Sequence, residues 1–335
     1  MLEGTIPKVS VILPCYNSEL FIEERVRTIF EQTFQDFELI CLDDCSTDRS
    51  IDYLRSIADG GRITFIENEK NSGSPFKQWN KGASLAQGEY LWFAEADDYS
   101  DPKFLERLVE VLDSNPAVGV AYCQSRLVDS AGKLGDSMIK HTAEFQSDRW
   151  ATSFISNGRE ECIKVLSRKN TIPNASAVLL RKSIFEAVGR ADDSMLLCGD
   201  WFTWIKMLTK SDIAFIPDIL NYFRKTHSSS VRKRTFLAPS KYKEISRIMT
   251  YLLVNFKDEH SLRSVLRKEI VKIWLRDIVY AKGFFAFRSN YEIYRIIRSF
   301  DNKAWLAFPA AIGWAVMHGT RVFFRNIFKP DQWSA

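Results

Sequence analysis

Tyr90-Leu91-Trp92-Phe93-Ala94-Glu95-Ala96-Asp97-Asp98 decides the fold. Five apolar residues read as a buried strand, and three carboxylates in four positions follow its end. The same arrangement appears upstream. Val9 to Leu13 is a short apolar run closed by Pro14, and Phe37 to Leu42 is another, followed by Asp43-Asp44-Cys45-Ser46-Thr47-Asp48. Ile63 to Ile66 makes a further strand. Helical spacing fills the intervals: Phe21, Ile22, Val26, Ile29 and Phe30 within Glu19 to Thr33; Ile51, Leu54 and Ile57 within Asp48 to Ala58; then Phe76 to Ala86. Asp101-Pro102 opens a helix through about Leu112, with Asp as cap and Pro in the first turn. This alternation predicts an α/β fold, a mostly parallel central sheet flanked by helices. Such sheets bind ligands beyond the carboxyl ends of their strands.

The acids stand on that edge. Uncompensated, paired carboxylates there raise one another's pKa. A hard Mn²⁺ or Mg²⁺, with a diphosphate supplying further oxygen ligands, would relieve the repulsion. Asp48 and Asp101 read as simple helix caps.

The ordered series of motifs resembles the inverting glycosyltransferases of family 2, which have the GT-A fold. It runs from about Lys8 to Val231: Val-Ser-Val-Ile-Leu-Pro-Cys-Tyr-Asn (9–17), Gln32-Thr33-Phe34, Phe37-Glu38-Leu39-Ile40, Asp43 to Asp48, Asn71-Ser72-Gly73, Asn80-Lys81-Gly82, Ala86 to Tyr90, and Glu95-Ala96-Asp97-Asp98. The resemblance implies a nucleotide-sugar donor. Asp44 would contact the base and Asp43 support its loop, while Pro14, Tyr16 and Asn17 shape the base and ribose pocket. Asp97 would ligate the metal. Lys77 either touches the diphosphate or is a solvated helix lysine. Two positions depart from the family pattern. Cys45 replaces a usual Gly, which suggests a loop with ordinary negative φ. Glu95 replaces an Asp, which leaves open whether it shares the metal.

The second half carries the acceptor side of the resemblance. Asn174-Ala175-Ser176-Ala177 leads into a strand, Val178 to Arg181, beside the acceptor cleft. Gly199-Asp200 precedes a helical start at Trp201. It is similar to the family's acidic motif, whose Asp is the catalytic base; Gly199 would let the backbone turn sharply there. Asn174, Ser176 and Trp201 are the implied acceptor contacts. Tyr222-Phe223-Arg224-Lys225-Thr226-His227 resembles a segment that closes over the diphosphate, with Arg224 on the nucleotide and His227 either structural or a diphosphate and metal contact. No Gln lies between Gln146 and Gln332, so the QxxRW motif of processive synthases is missing and a single transfer is expected. The implied acceptor is a glycan or lipid-linked hydroxyl. The rivals are a sugar-phosphate nucleotidyltransferase, which lacks its Gly-rich loop here, and an inactive scaffold, against which Asp44, Asp97 and Asp200 argue.

Composition supports a folded, globular chain. Of 335 residues, 46% are hydrophobic and 26% charged, ordinary globular usage that excludes a disordered chain. The net charge of +4 is uneven: from Phe236 onward there are 17 Lys+Arg against 8 Asp+Glu. A weakly acidic globule with a basic tail argues against a nucleic-acid binder. Six cysteines form no CxxC pair and read as buried reduced thiols. The opening Met-Leu-Glu-Gly-Thr has no basic and apolar signal pattern, so a cytoplasmic protein is expected. The uncharged, aromatic run Ala304 to Gly319 is shorter than the ~20 residues a spanning helix needs. It is either an interfacial helix on an anionic membrane or a buried helix. The expected organisation is 1–100 for the nucleotide-sugar half, 101–235 for the acceptor half of the same domain, and 236–335 for a basic helical extension.

Overall fold

Val9–Cys15 forms the central strand β1 of the computed structural model, which describes residues 6–145, 148–225, 238–280, 286–307 and 309. All seven residues of β1 are buried. Burial on both faces is why it reads as a continuous apolar run. β1 pairs in parallel with β2 (Phe37–Asp43) and with β4 (Tyr90–Phe93), and β2 pairs in parallel with β3 (Thr64–Glu67). The crossovers are α1 (Ile22–Phe30), α2 (Ser50–Ala58) and α3 (Pro75–Leu85). A close approach sets the entry to β4. A Cβ on Gly88 would lie 2.6 Å from the Ser10 nitrogen, so only glycine fits beside β1.

Beyond β4 the sheet becomes mixed. The further strands are β5 (Tyr99–Ser100), β6 (Val118–Asp129), β7 (Leu134–Ser137), β8 (Phe154–Ser156), β9 (Val178–Arg181) and β10 (Asp212–Lys225). The spatial order is β3-β2-β1-β4-β9-β6-β10-β5, with β7 on β6 and β8 on β10. β9 runs antiparallel between β4 and β6, whereas β6 and β10 are parallel. Residues 9–93 and 99–225 thus share one sheet. Helices α4 (Phe104–Ser114), α5 (Gly158–Glu161), α6 (Lys182–Ala187) and α7 (Gly199–Leu208) complete this unit.

Three local expectations need correction. The helix expected from Asp101 begins at Phe104, although Asp101 still caps the turn by accepting the Lys103 N–H at 2.9 Å. Cys45 does not have negative φ. It sits at φ +65°, so the loop keeps its left-handed turn and Cys45 bears the strain that a glycine would avoid. Gly199 is not needed for a sharp turn. It is the first residue of α7, and a Cβ there would lie 2.4 Å from the Phe76 ring, so its role is close packing.

The chain divides into two compact units, residues 1–227 and 228–335. The second contains α8 (Pro239–Asn255), α9 (Leu262–Tyr280) and α10 (Phe287–Phe300), then a 3₁₀ turn, Ala304–Ala307. Tyr242, Ile245, Met249 and Leu252 recur at helical spacing and are buried. The buried Asp277 ties α9 to α8 by accepting from Tyr242 Oη at 2.8 Å and Lys241 Nζ at 2.6 Å. Of the apolar run expected over 304–319, residues 304–307 and 309 are described. Ala304 and Ala307 are buried, while Trp305 and Leu306 are exposed. Among the described residues no helix is long and apolar enough to cross a membrane.

Candidate active site at the carboxyl edge of the sheet

The loops after β1 and β2 are stitched together. Asn17, itself at φ +49°, accepts the Thr47 N–H at 2.8 Å through Oδ1 and donates its own N–H to Ser46 Oγ at 3.0 Å. Asp43 is fully buried and accepts the Ser46 N–H at 2.8 Å, which closes the turn around Cys45. Asp44 is 6% exposed. Its Oδ1 accepts from Asn68 Nδ2, the Ser72 N–H and Gln78 Nε2 at 2.7 to 2.8 Å, and its Oδ2 from Ser72 Oγ at 2.8 Å. The loop after β3 and helix α3 therefore hold this carboxylate. Pro14 is buried in β1, whereas the Tyr16 ring beside it is half exposed. Lys77 lies on the exposed side of α3, donating to the Ser72 carbonyl at 3.2 Å.

The acids after β4 are handled one at a time. Glu95 Oε1 accepts from the indole of Trp79 at 2.9 Å, and that indole stacks on Phe93 with ring centroids 4.4 Å apart. Asp98 accepts the Arg224 N–H at 2.9 Å and faces Asn174 Nδ2 at 3.4 Å. Between them, Asp97 has a carboxylate to which no other residue donates a hydrogen bond, among the described residues. Beneath lies Arg25, fully buried. It donates to Ser100 Oγ at 2.8 Å, lies 4.7 Å over the Trp92 ring, and leaves Nε and Nη2 without a partner among the described residues. Its charge acts on all three acids.

Burial dominates the electrostatics. It pushes the Glu95 carboxyl up to about 7, with the Trp79 hydrogen bond opposing. It pushes Asp98 up to about 8, the Asp97 charge adding to the rise. Asp97 is raised by burial too, while Arg25 and Arg224 oppose. A carboxylate left unengaged between two raised acids is a fitting ligand for a hard cation. Among the described residues no three His, Cys, Asp or Glu side chains form a metal cage. His227 lies outside the described residues.

Four of the expected ligand contacts are buried and bonded within the protein. Arg224 is 4% exposed, and its guanidinium donates to the Asp97 carbonyl at 2.9 Å, the Asp129 carbonyl at 3.0 Å and Glu24. Those contacts clamp the acid loop. Ser176 is fully buried and accepts the Glu95 N–H at 3.2 Å. Asn174 caps the short turn before β9 and accepts from Asn221 at 3.2 Å. Trp201 is buried and donates to the Leu166 carbonyl at 3.0 Å. The last three are buried, each bonded to a neighbour within the protein. Asp200 stands in the first turn of α7, where the helix dipole favours an anion. Its Oδ2 accepts from Asn170 Nδ2 at 3.0 Å, and its charge reaches Glu95.

Sequence reasoning missed Arg25, Trp79, Gln78 and Asn170. Arg25 was findable: it occupies a buried position in the apolar stripe Ile22, Val26, Ile29 of α1, where a charge needs a counter-charge.

The fold is GT-A, an α/β sheet flanked by helices with acids at its carboxyl edge. The chain belongs to glycosyl transferase family 2, whose model matches residues 10–189. It is 25% identical over 268 residues to the poly(ribitol-phosphate) beta-N-acetylglucosaminyltransferase TarS of Staphylococcus aureus (strain Mu50), covering 79% of this chain but only 44% of that protein. The chain thus spans less than half the length of that relative. The solved structure of S. aureus TarS 1–349 in complex with UDP-GlcNAc superposes with a TM-score of 0.60 at 19% identity, covering 88% of this chain and 92% of that one. The mannosyltransferase PcManGT from Pyrobaculum calidifontis, in complex with GDP-Man and Mn²⁺, gives 0.52 at 19% identity, covering 92% and 87%.

The raised acids predict a pH dependence. In the unfolded chain Glu95 and Asp98 lose their protons at about pH 4. In the folded protein they keep them to about 7 and about 8. Between those limits the folded state binds more protons, so stability falls as pH rises, by up to roughly 1.4 kcal/mol per pH unit for each group. The ligand-free protein should melt higher at about pH 6 than at about pH 8. Glu95→Gln, which cannot ionise, should flatten that slope. Scanning calorimetry across this range checks it; a melting temperature that climbs with pH contradicts the assignment.

Proposed function

We propose that this chain transfers a sugar from a nucleoside diphosphate sugar, UDP- or dTDP-linked, to an acceptor hydroxyl in one displacement that inverts the anomeric carbon. The observation that carries this reading is the unengaged carboxylate of Asp97 between the clamped Glu95 and Asp98. Family membership and the UDP-GlcNAc complex of TarS support the donor class. The TarS relative, by its name a transferase to poly(ribitol phosphate), supports an acceptor that is a glycan, a lipid-linked glycan or a polyol-phosphate polymer.

The residues divide the work. Asp44 accepts an N–H from the base, held in place by Ser72 and Gln78. Asp43 supports the turn beneath it, and Tyr16 and Asn17 flank the nucleoside. Lys77, on the exposed side of α3, would contact the diphosphate. Asp200 takes the proton from the acceptor hydroxyl as its oxygen attacks the anomeric carbon, and the bond to the diphosphate breaks on the opposite face. Mn²⁺ or Mg²⁺ on Asp97 would neutralise charge on the departing diphosphate.

A carboxylate acceptor at Asp44 pairs with the imide N–H of uracil or thymine, whereas cytosine presents an acceptor at the same ring position. Calorimetric titration with Mn²⁺ present should show UDP and dTDP binding tighter than CDP or GDP, and binding should weaken when the cation is chelated. Tighter GDP binding, or binding indifferent to chelation, sinks this reading.

We further propose peripheral contact with an anionic membrane through the second unit. Support comes from its basic balance and from exposed Tyr291 and Trp305, with Arg288, Arg295 and Arg298 on the same helix as the tyrosine. Aromatic and basic side chains together suit a headgroup interface. The full chain should pellet with anionic vesicles, less in high salt, and poorly with neutral ones. Equal pelleting with both vesicle types contradicts the proposal.

A further inference from the structure

Asn170 lies in the segment ahead of β9, and both ends of its amide are committed. Oδ1 accepts the Ile172 N–H at 3.3 Å, and Nδ2 donates to Asp200 Oδ2 at 3.0 Å. The reversed amide would set an oxygen against the carboxylate and an NH₂ against the Ile172 N–H. The partners therefore select one orientation.

The backbone that delivers this amide is braced as well. The Asn170 carbonyl meets His141 Nε2 at 2.9 Å. Lys169, next to it, donates to the His141 carbonyl at 2.5 Å and pairs with Glu144 at 2.9 Å. These contacts bind residues 169–170 to the 3₁₀ segment Met138–Phe145.

We propose that Asn170 is the positioning residue of the base: its amide fixes the plane of the Asp200 carboxylate at which the acceptor hydroxyl loses its proton. This rests on the transfer reaction proposed above and names a residue outside the motifs quoted from the sequence. Misplacing a reacting group by about 1 Å costs on the order of 10²-fold in rate. Losing the hydrogen bond should thus lower kcat by roughly 10- to 100-fold and leave donor binding alone.

The test is a double-mutant cycle on the full chain. Parent, Asn170→Ala, Asn170→Ser, Asp200→Asn and the Asn170→Ala/Asp200→Asn double variant are assayed for UDP release from the UDP-sugar that the parent turns over fastest. UDP affinity is measured with Mn²⁺ present. Both Asn170 variants should show the kcat loss, with donor KM and UDP affinity within about twofold of parent. The double variant should be no slower than Asp200→Asn, because two residues acting as one unit are not additive. Serine keeps an acceptor for the Ile172 N–H but cannot reach Asp200, so it separates the turn from the base and carries the test if the alanine variant fails to fold. Parent-level kcat in Asn170→Ser, or losses that multiply in the double variant, overturns the proposal. An Asp200→Asn variant at parent rate instead contradicts the base assignment, a result read in a separate arm.

Discussion

Three carboxylates within four residues at the end of a buried strand are a problem of charge burial. Each burial would cost several kcal/mol if nothing compensated it. The protein meets this with separate partners for two of the acids. A buried indole hydrogen-bonds Glu95, a backbone N–H and an amide hold Asp98, and the charge of the buried Arg25 acts on all three acids. Asp97 is the acid left over. The packing around the site follows from those assignments: Trp79 must stack on Phe93 to aim its N–H, and Arg224 must leave the surface to pin the loop.

The nucleotide side repeats the logic with hydrogen bonds instead of charge. Asp44 is held by four donor contacts from the loop after β3 and from α3, so its position depends on how both pack on β1 and β2. Asn17 and Cys45 accept left-handed backbone so that the two strand-end loops can interlock. Strain of about 1–2 kcal/mol at such a position persists because the surrounding contacts determine it.

Much of this was legible in the residues. β1 to β4 are short apolar runs with parallel crossovers, and composition with periodicity locates them within one or two residues. The acids at their ends are local features and read directly. What stayed hidden is non-local. No pattern in Val178–Arg181 says that it runs antiparallel between β4 and β6. Asn174, Ser176, Trp201 and Arg224 are polar or amphipathic residues that a motif assigns to ligands. The three-dimensional packing turns them inward, where each satisfies a partner. Cys45 misled because its side chain argues against positive φ, while the interlocked loops impose it. Asn170 and Arg25 matter through contacts 30 and 75 positions away in sequence, which spacing arguments do not reach.

The central claim is that the loop clamps two of its acids so that the third can face ligand. The most direct test is calorimetric titration of Mn²⁺-UDP into parent, Asp97→Asn and Glu95→Gln proteins, with melting temperatures recorded alongside. The account predicts that Asp97→Asn folds and melts near parent yet loses at least about 10-fold in Mn²⁺-assisted affinity, as removal of a direct carboxylate ligand should. Glu95→Gln should retain most of it. Parent-like affinity in Asp97→Asn, or a larger loss in Glu95→Gln, would contradict the account.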